Sequence, residues 1–335
     1  MSSQRKIAVL GAGAWGTALA IHLAKVGHAV NLWTHRAEQA RQLVEAKENS
    51  RYLPGVELPE NLAPVGSLSE AIADVEAVLF VVPSNAFRET LVSVKKLVAG
   101  STIHFAWATK GFEPNSQKLL HEVAFEVLGE SSRVAVLSGP TFANEVAKGL
   151  PTAMVSASNQ ECEAQYWADL FHNDAFRMYT QSDMVGVEVG GAYKNIMAIA
   201  TGVSDGLHMG ANARAALVSR GMVEMMRMSQ ALGGQPETMM GLAGLGDLVL
   251  TCTDDLSRNR RFGFGLASGN HTSEEVMSEI GQVVEGVKAV KTVKLLADRL
   301  NLDLPIMEQV YLLVSEAISP KQAVHALMTR SGKSE

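Results

Sequence analysis

Short unbroken apolar runs alternate with longer segments of helical period through the first half of the chain. Seven runs read as strands: Lys6–Leu10, Ala29–Trp33, Ala77–Val82, Thr102–Trp107, Val134–Leu137, Ala153–Ser156 and Phe176–Tyr179. Several are apolar at every position, as strands covered on both faces must be. Their alternation with helical patterns predicts a mostly parallel sheet wrapped by helices. Between them, Asn49–Gly66 carries three prolines and reads as an extended loop. Beyond about Asp183 no strong β-branched run follows, and Met222, Met225, Met226 and Met228 fall into one helical pattern. A methionine stripe is far more often core filling than a binding surface. The second half is therefore expected to be all-helical, with that stripe inside. The closing residues Ser331–Glu335 read as a frayed tail.

At 335 residues the chain is long for one core and predicts two domains, 1–183 and 184–335. A net charge of -6, with no basic run against it, leaves no footprint for nucleic acid. Cys162 and Cys252 form no metal or redox spacing, so no metal is expected and a reduced compartment fits. The N-terminus runs straight into a strand pattern, without room for a signal peptide. Apolar stretches such as Ala77–Pro83 are too short to span a bilayer. The expectation is a cytoplasmic protein without membrane insertion.

The strongest local signal is KIAVLGAGAWGTALAIHLAKVGHAVNLW, Lys6 to Trp33. A buried strand enters a turn holding Gly11, Gly13, Ala14, Trp15 and Gly16, then a helix, then a second strand. Gly11 permits the tight turn, Gly13 lets backbone amides approach a pyrophosphate, and Gly16 lets the helix pack close to the sheet. The helix N-terminus adds partial positive charge. Alone, GxGxxG is weak; between strand, helix and strand it reads as a dinucleotide site. An NAD-only site usually ends its second strand in Asp or Glu, whereas His35 and Arg36 stand here. A carboxylate would repel a 2′-phosphate and these residues can accept it, so NADPH is favoured alongside NAD. A merely solvated Arg36 is the competing reading.

Four further stretches carry chemistry. WATKGFE sets Lys110 just after a strand, where open α/β sheets bind ligands. SGPTFANEVA sets Ser138, Gly139 and Thr141 at another strand end. AGLGDLVLTC is a glycine-rich loop with one carboxylate, Asp247, and SRNRRFG clusters Ser257, Arg258, Asn259, Arg260 and Arg261. Taken alone, the arginine cluster could equally be a solvated face. In EVGGAYKNIMAIATG a single lysine, Lys194, has Gly190 and Gly191 as its same-face neighbours one turn earlier. Two helix-interior glycines cost about 1 kcal/mol each against alanine, so something must approach that face closely.

With GAGAWGTALA, YLPG, VVPS, GGAYKNIMAIA, GANARAALVSRG, GLAGLGDLVLTCT and QVVEG in order among these stretches, the chain resembles bacterial-type NAD(P)-dependent glycerol-3-phosphate dehydrogenases along nearly its whole length. The resemblance implies a Rossmann-type N-terminal domain and an all-α C-terminal domain. It implies reduction of dihydroxyacetone phosphate to sn-glycerol 3-phosphate, the precursor of phospholipid backbones. It puts Ala14, Trp15, His35 and Arg36 near the cofactor, with Lys110 touching cofactor and substrate and Ala143 near the nicotinamide. Ala14 stands where many relatives have Ser, which removes one side-chain contact to phosphate. Gly139 and Thr141 would line the substrate pocket. Lys194 would be the proton acceptor, with Asn195 beside it and Asp247 orienting it. Ser257, Arg258 and Asn259 would hold the substrate phosphate and part of the cofactor, and Val283 and Glu285 the adenosine end. Arg260 and Arg261 are left as surface charges.

On this reading a lysine whose pKa is lowered by burial and a second cation shuttles the proton of the developing alkoxide. Lys110 would be that cation and would polarise the carbonyl. Gly190 and Gly191 would leave room for substrate and nicotinamide. A β-hydroxyacid dehydrogenase is the nearest rival, but it carries Asn one turn after the lysine, where Ala198 stands. A non-catalytic nicotinamide-nucleotide sensor would have no need of Lys110, Lys194 and Asp247 together. A homodimer is held open as the assembly.

Overall fold

A computed structural model describes residues 4–98, 102–269 and 271–330; the tail expected at Ser331–Glu335 lies outside the described residues. The chain forms two compact units. The described residues up to Glu113, with Lys118–Val187, make unit one; Pro114–Gln117 and those from Glu188 onward make unit two.

Unit one is built on ten strands: β1 (Lys6–Leu10), β2 (Ala29–Trp33), β3 (Glu48–Asn49), β4 (Leu53–Glu57), β5 (Leu62–Val65), β6 (Ala77–Phe80), β7 (His104–Trp107), β8 (Val134–Ser138), β9 (Thr152–Ala157) and β10 (Phe176–Gln181). Eight of them form one sheet in the order β10-β9-β8-β7-β6-β1-β2-β5. Every neighbouring pair is parallel except β8 with β9. All seven expected strands are present. β6 and most of β1 and β8 are wholly buried, as their unbroken apolar sequences require. The order reverses beside β1, which pairs with β2 on one side and β6 on the other. Such a reversal is where doubly wound sheets open a crevice at their strand ends.

The loop expected over Asn49–Gly66 is corrected by two strands within it. β4 pairs antiparallel with β3, and β5 joins the sheet beside β2. The prolines allow this because of where they fall. Pro64 sits in the terminal strand of the sheet, where a missing N–H interrupts no ladder on the outer side. Leu53, Val56, Leu58 and Leu62 are buried there and join the hydrophobic core.

Unit two has helices joined by turns and loops, with no strand among its described residues. It takes up most of the long helix Met184–Gly206, followed by Gly210–Ala231 and a series of shorter helices to Met328. Met222, Met225 and Met228 are buried as expected, while Met226 is only half-buried. Helices Met184–Gly206 and Arg258–Ser268 meet backbone to backbone. A Cβ at Gly206 would lie 2.7 Å from Phe264 O, and one at Gly263 would lie 3.0 Å from Val203 N. The buried Glu224 carboxylate ties three helices together. It accepts the Tyr193 hydroxyl at 2.8 Å and the N–H groups of Ile306 and Met307 at 2.6 and 3.1 Å. Those amides open the helix Pro305–Val314 and have no partner one turn back. Burial holds Glu224 above the usual carboxylate range, and it lifts the Tyr193 phenol well above its ordinary value.

Candidate active site

In unit one the glycine-rich turn follows β1 and opens the helix Ala14–Val26. Gly11 has φ +124, and a Cβ there would lie 2.6 Å from Val81 O, so only glycine suits the turn. At Gly16 an added Cβ would overlap the carbonyl of Gly11 itself. Gly13 differs: a Cβ there would meet nothing within 4 Å. Packing explains the first and third glycines and leaves the middle one bare, as a backbone face reserved for a ligand should be. The helix beginning at Ala14 has no side-chain cap and no acidic residue in its first turn. Its leading N–H groups and partial positive charge suit a pyrophosphate. The residues present therefore fit a dinucleotide. Ala14 offers backbone only.

Two side chains absent from the sequence reading brace this turn. Asn49 donates to Ala12 O at 3.1 Å and to Thr17 Oγ1 at 2.7 Å, and Gln39 donates to Ala12 O at 2.9 Å. Asn49 was hidden because its segment read as loop. Gly11 N–H donates to Trp33 O at 3.0 Å, tying the turn to the end of β2. His35 and Arg36 follow one residue later, after the buried Thr34, and both are exposed.

Lys110 lies three residues past β7, half-buried, and its Nζ donates to Gly139 O at 3.4 Å. Thr141 Oγ1 donates to the same carbonyl at 3.2 Å. The segments WATKGFE and SGPTFANEVA thus converge on one carbonyl, although they come from different strands. Ala143 opens the helix Ala143–Lys148 beside them.

In unit two Lys194 is buried and forms an ion pair with Asp247, whose side chain is 0% exposed. Asp247 follows a π-helical turn, Leu242–Gly246, and begins the helix Asp247–Thr253. Thr251 Oγ1 donates to Asp247 O at 2.6 Å and lies 3.4 Å from Asp247 Oδ1. This residue was missed by the sequence reading, though its place one turn after Asp247 could have pointed to it. Cys252 is buried nearby, its thiol pushed up to about 12 by burial, so it stays a neutral neighbour.

The expectation that Gly190 leaves space for substrate is corrected. A Cβ there would strike the carbonyl of Ala243, with Ala243 C at 3.0 Å and Gly244 Cα at 3.4 Å. What approaches Lys194's face at that level is the backbone leading to Asp247.

Asn195 Oδ1 accepts from Asn259 at 2.9 Å, and its Nδ2 donates to Glu285 at 3.5 Å. Gly286 N–H donates to Asn259 Oδ1 at 2.8 Å. Asn195, Asn259 and Glu285 are thereby brought together from three helices. Ser257 caps the helix Arg258–Ser268, accepting from Arg260 N at 3.3 Å. Arg258, half-buried, donates to Gln282 at 3.2 Å. Val283 is exposed. Arg260, expected at the surface, is instead buried: it pairs with Asp205 at 2.6 Å and with Asp255, while Arg214 grips Asp205 at 3.1 Å. Adjacent on the helix and so about 100° apart around it, Arg261 faces outward and Arg260 inward.

Comparison with known proteins adds the family. Residues 6–164 match the model for the N-terminus of NAD-dependent glycerol-3-phosphate dehydrogenase, and residues 183–325 match the model for its C-terminus. The chain is 65% identical over 331 residues to Glycerol-3-phosphate dehydrogenase [NAD(P)+] of Hydrogenovibrio crunogenus, covering 98% of this chain and 96% of the relative. Against the Stenotrophomonas maltophilia enzyme of the same name, identity is 50% with the same coverage. The crystal structure of glycerol-3-phosphate dehydrogenase from Coxiella burnetii superposes with TM-score 0.94 at 45% identity, covering 98% of this chain and 99% of that one.

Proposed function

The chain belongs to the NAD-dependent glycerol-3-phosphate dehydrogenase family, and we propose that it works toward glycerol 3-phosphate, with NADPH, to supply phospholipid synthesis in the cytoplasm. It is an NAD(P)-dependent oxidoreductase interconverting dihydroxyacetone phosphate and glycerol 3-phosphate. The single observation that carries the mechanistic reading is the buried Lys194–Asp247 pair. A lysine kept from water beside a buried carboxylate is held in one orientation without a competing solvent shell.

When bound, the nicotinamide supplies or takes the hydride. The glycine turn Gly11–Gly16 binds the pyrophosphate, and His35 and Arg36 grip the 2′-phosphate. In the direction of reduction, Lys194 Nζ gives its proton to the carbonyl oxygen as that oxygen gains charge. In oxidation it takes the hydroxyl proton back. Asp247 holds Nζ in place, and Lys110 is assigned the charge that polarises the carbonyl. Gly139 and Thr141 line the substrate's surroundings. Arg258 holds the substrate phosphate, with Ser257 and Asn259 shaping the start of its helix. A homodimer is the assembly we propose. No helix among the described residues is long and apolar enough to cross a membrane.

Lys194→Met tests the reading. Turnover should vanish while NADPH binding persists, so the loss appears in kcat and not in cofactor affinity. The variant strands a buried carboxylate at a cost of about 3 kcal/mol. Lys194→Met/Asp247→Asn removes that stranded charge and should recover stability without recovering turnover. Near wild-type kcat in either variant would remove Lys194 from the reaction.

A further inference from the structure

We propose that Gly190 is a positioning residue for the acid–base pair: it seats the π-helical turn Leu242–Gly246 so that Asp247 arrives against Lys194. This rests on the reading of Lys194 as the proton carrier.

The geometry is a matched pair of contacts. On the helix Met184–Gly206, Gly190 and Lys194 are four residues apart and share a face. On the opposing segment, Ala243 and Asp247 are also four residues apart. Gly190 meets Ala243 and Lys194 meets Asp247. The two contacts are one helical turn apart, about 6 Å along the axis. With a buried lysine at one end and a bare glycine at the other, the spacing of the two backbones is set at Gly190. No side chain stands between them there to yield.

The approaching segment is shaped for the same purpose. Gly246 N–H donates to Gly241 O at 3.1 Å, an i→i+5 bond. Such a turn takes up one residue more than an α-helical turn. It therefore rotates every later side chain by about 100° relative to an uninterrupted α-helix. Gly244 lets the turn close on its other side, since a Cβ there would lie 2.6 Å from Met239 C. Thr251 then holds the Asp247 end, through its bond to Asp247 O at 2.6 Å. Gly190 sets how near Asp247 comes; the π turn and Thr251 set where it faces.

The test is Gly190→Ala in the full-length enzyme. Its methyl must push back a backbone carbonyl, and misplacing a catalytic group by about 1 Å costs up to roughly 100-fold in rate. The expected result is kcat reduced tenfold or more, with NADPH affinity changed less than twofold. A carboxylate moved away also stabilises the lysine's charge less, so the alkaline limb of kcat for reduction should move to lower pH. Gly265→Ala provides a packing defect elsewhere in unit two, its methyl meeting Val276 Cγ1 at 2.7 Å. It should lower Tm and leave that limb in place.

Asp247→Glu, one methylene longer, should impair the wild type yet recover at least fivefold in the Gly190→Ala background. An unmoved limb in Gly190→Ala, or strictly additive losses in the double variant, would overturn the proposal. Should Gly190→Ala not accumulate as folded protein, Thr251→Val and Thr251→Ser test whether turnover depends on the placement of Asp247 at all, on which a seat at Gly190 depends: Val should lower kcat severalfold and Ser should retain it. Equal activity in both would overturn it too. An active Lys194→Met would instead defeat the acid–base reading itself, so the two failures are distinguishable.

Discussion

Asn259 donates its side-chain amide to Asn195 Oδ1 at 2.9 Å, joining the start of the helix Arg258–Ser268 to the residue that follows Lys194. The bond is buried, and the Asn259 Oδ1 is itself taken up by Gly286 N–H. Arg258 is thus carried on a helix start that cannot swing independently of the Lys194 helix. On the roles proposed for Arg258 and Lys194, that shared framework would hold a phosphate grip and a proton carrier at a fixed spacing for a phosphorylated ketone.

Arg258→Lys keeps the charge and loses the planar fork that can grip two phosphate oxygens. The expected loss in kcat/KM for dihydroxyacetone phosphate is roughly 2–4 kcal/mol, the scale for unpairing a buried charged group. Unphosphorylated dihydroxyacetone, a poor substrate from the start, should be almost unaffected. Measuring kcat/KM for both ketones in both proteins decides it. Equal proportional losses would assign Arg258 to the cofactor or the fold.

His35 and Arg36 stand exposed two and three residues past the end of β2. Replacing them with Asp and Ala puts a carboxylate where the 2′-phosphate would lie. NADPH binding should weaken at least about tenfold more than NADH binding, since the new charge repels only the phosphorylated ribose. Dissociation constants for both nucleotides check this. Parallel losses would mean that these residues do not read the phosphate.

The dinucleotide unit should lose stability in mild acid because of His22. That ring is buried on the helix Ala14–Val26, its Nε2 2.7 Å from Phe171 O, stacked against Phe171. Burial lowers its pKa from 6.5 to about 4, the carbonyl contact opposing and Lys25 and His28 assisting. Between those values the unfolded chain binds a proton that the folded chain refuses. The stabilisation is therefore complete above pH 6.5, falls as pH drops, and is gone below about 4. Its full size is about 3 kcal/mol. His28, lowered by the same cause, adds in the same direction. Urea unfolding between pH 7 and 4 should show the decline. His22→Gln, which can still donate to Phe171 O and does not titrate, should flatten it.

Local pattern alone determined a good deal. The apolar runs of β1 and β6 marked buried strands, and the glycine spacing between β1 and the helical pattern after it marked a close turn into a helix. Both follow from backbone geometry and burial within a few consecutive residues. The methionine stripe at helical period likewise marked a buried face. The placement of Lys110, Lys194, Asp247 and Arg258 came from matched motifs, since no local rule says which lysine will face which carboxylate.

Tertiary structure decided the rest, because it turned on partners distant in the chain. Lys194 and Asp247 are 53 residues apart, and nothing local announces their pairing. Gly190 looked like cleared space and is a seat for the Ala243 backbone. Arg260 and Arg258 are indistinguishable as charges in SRNRRFG, yet Asp205, more than fifty residues earlier, draws only Arg260 inward. Asn49–Gly66 looked like loop because proline disfavours strands on average, whereas a sheet edge has no outer ladder for proline to break. Periodicity and turn chemistry are properties of neighbours in sequence. Close backbone approach and the choice of a buried charge's partner are properties of neighbours in space.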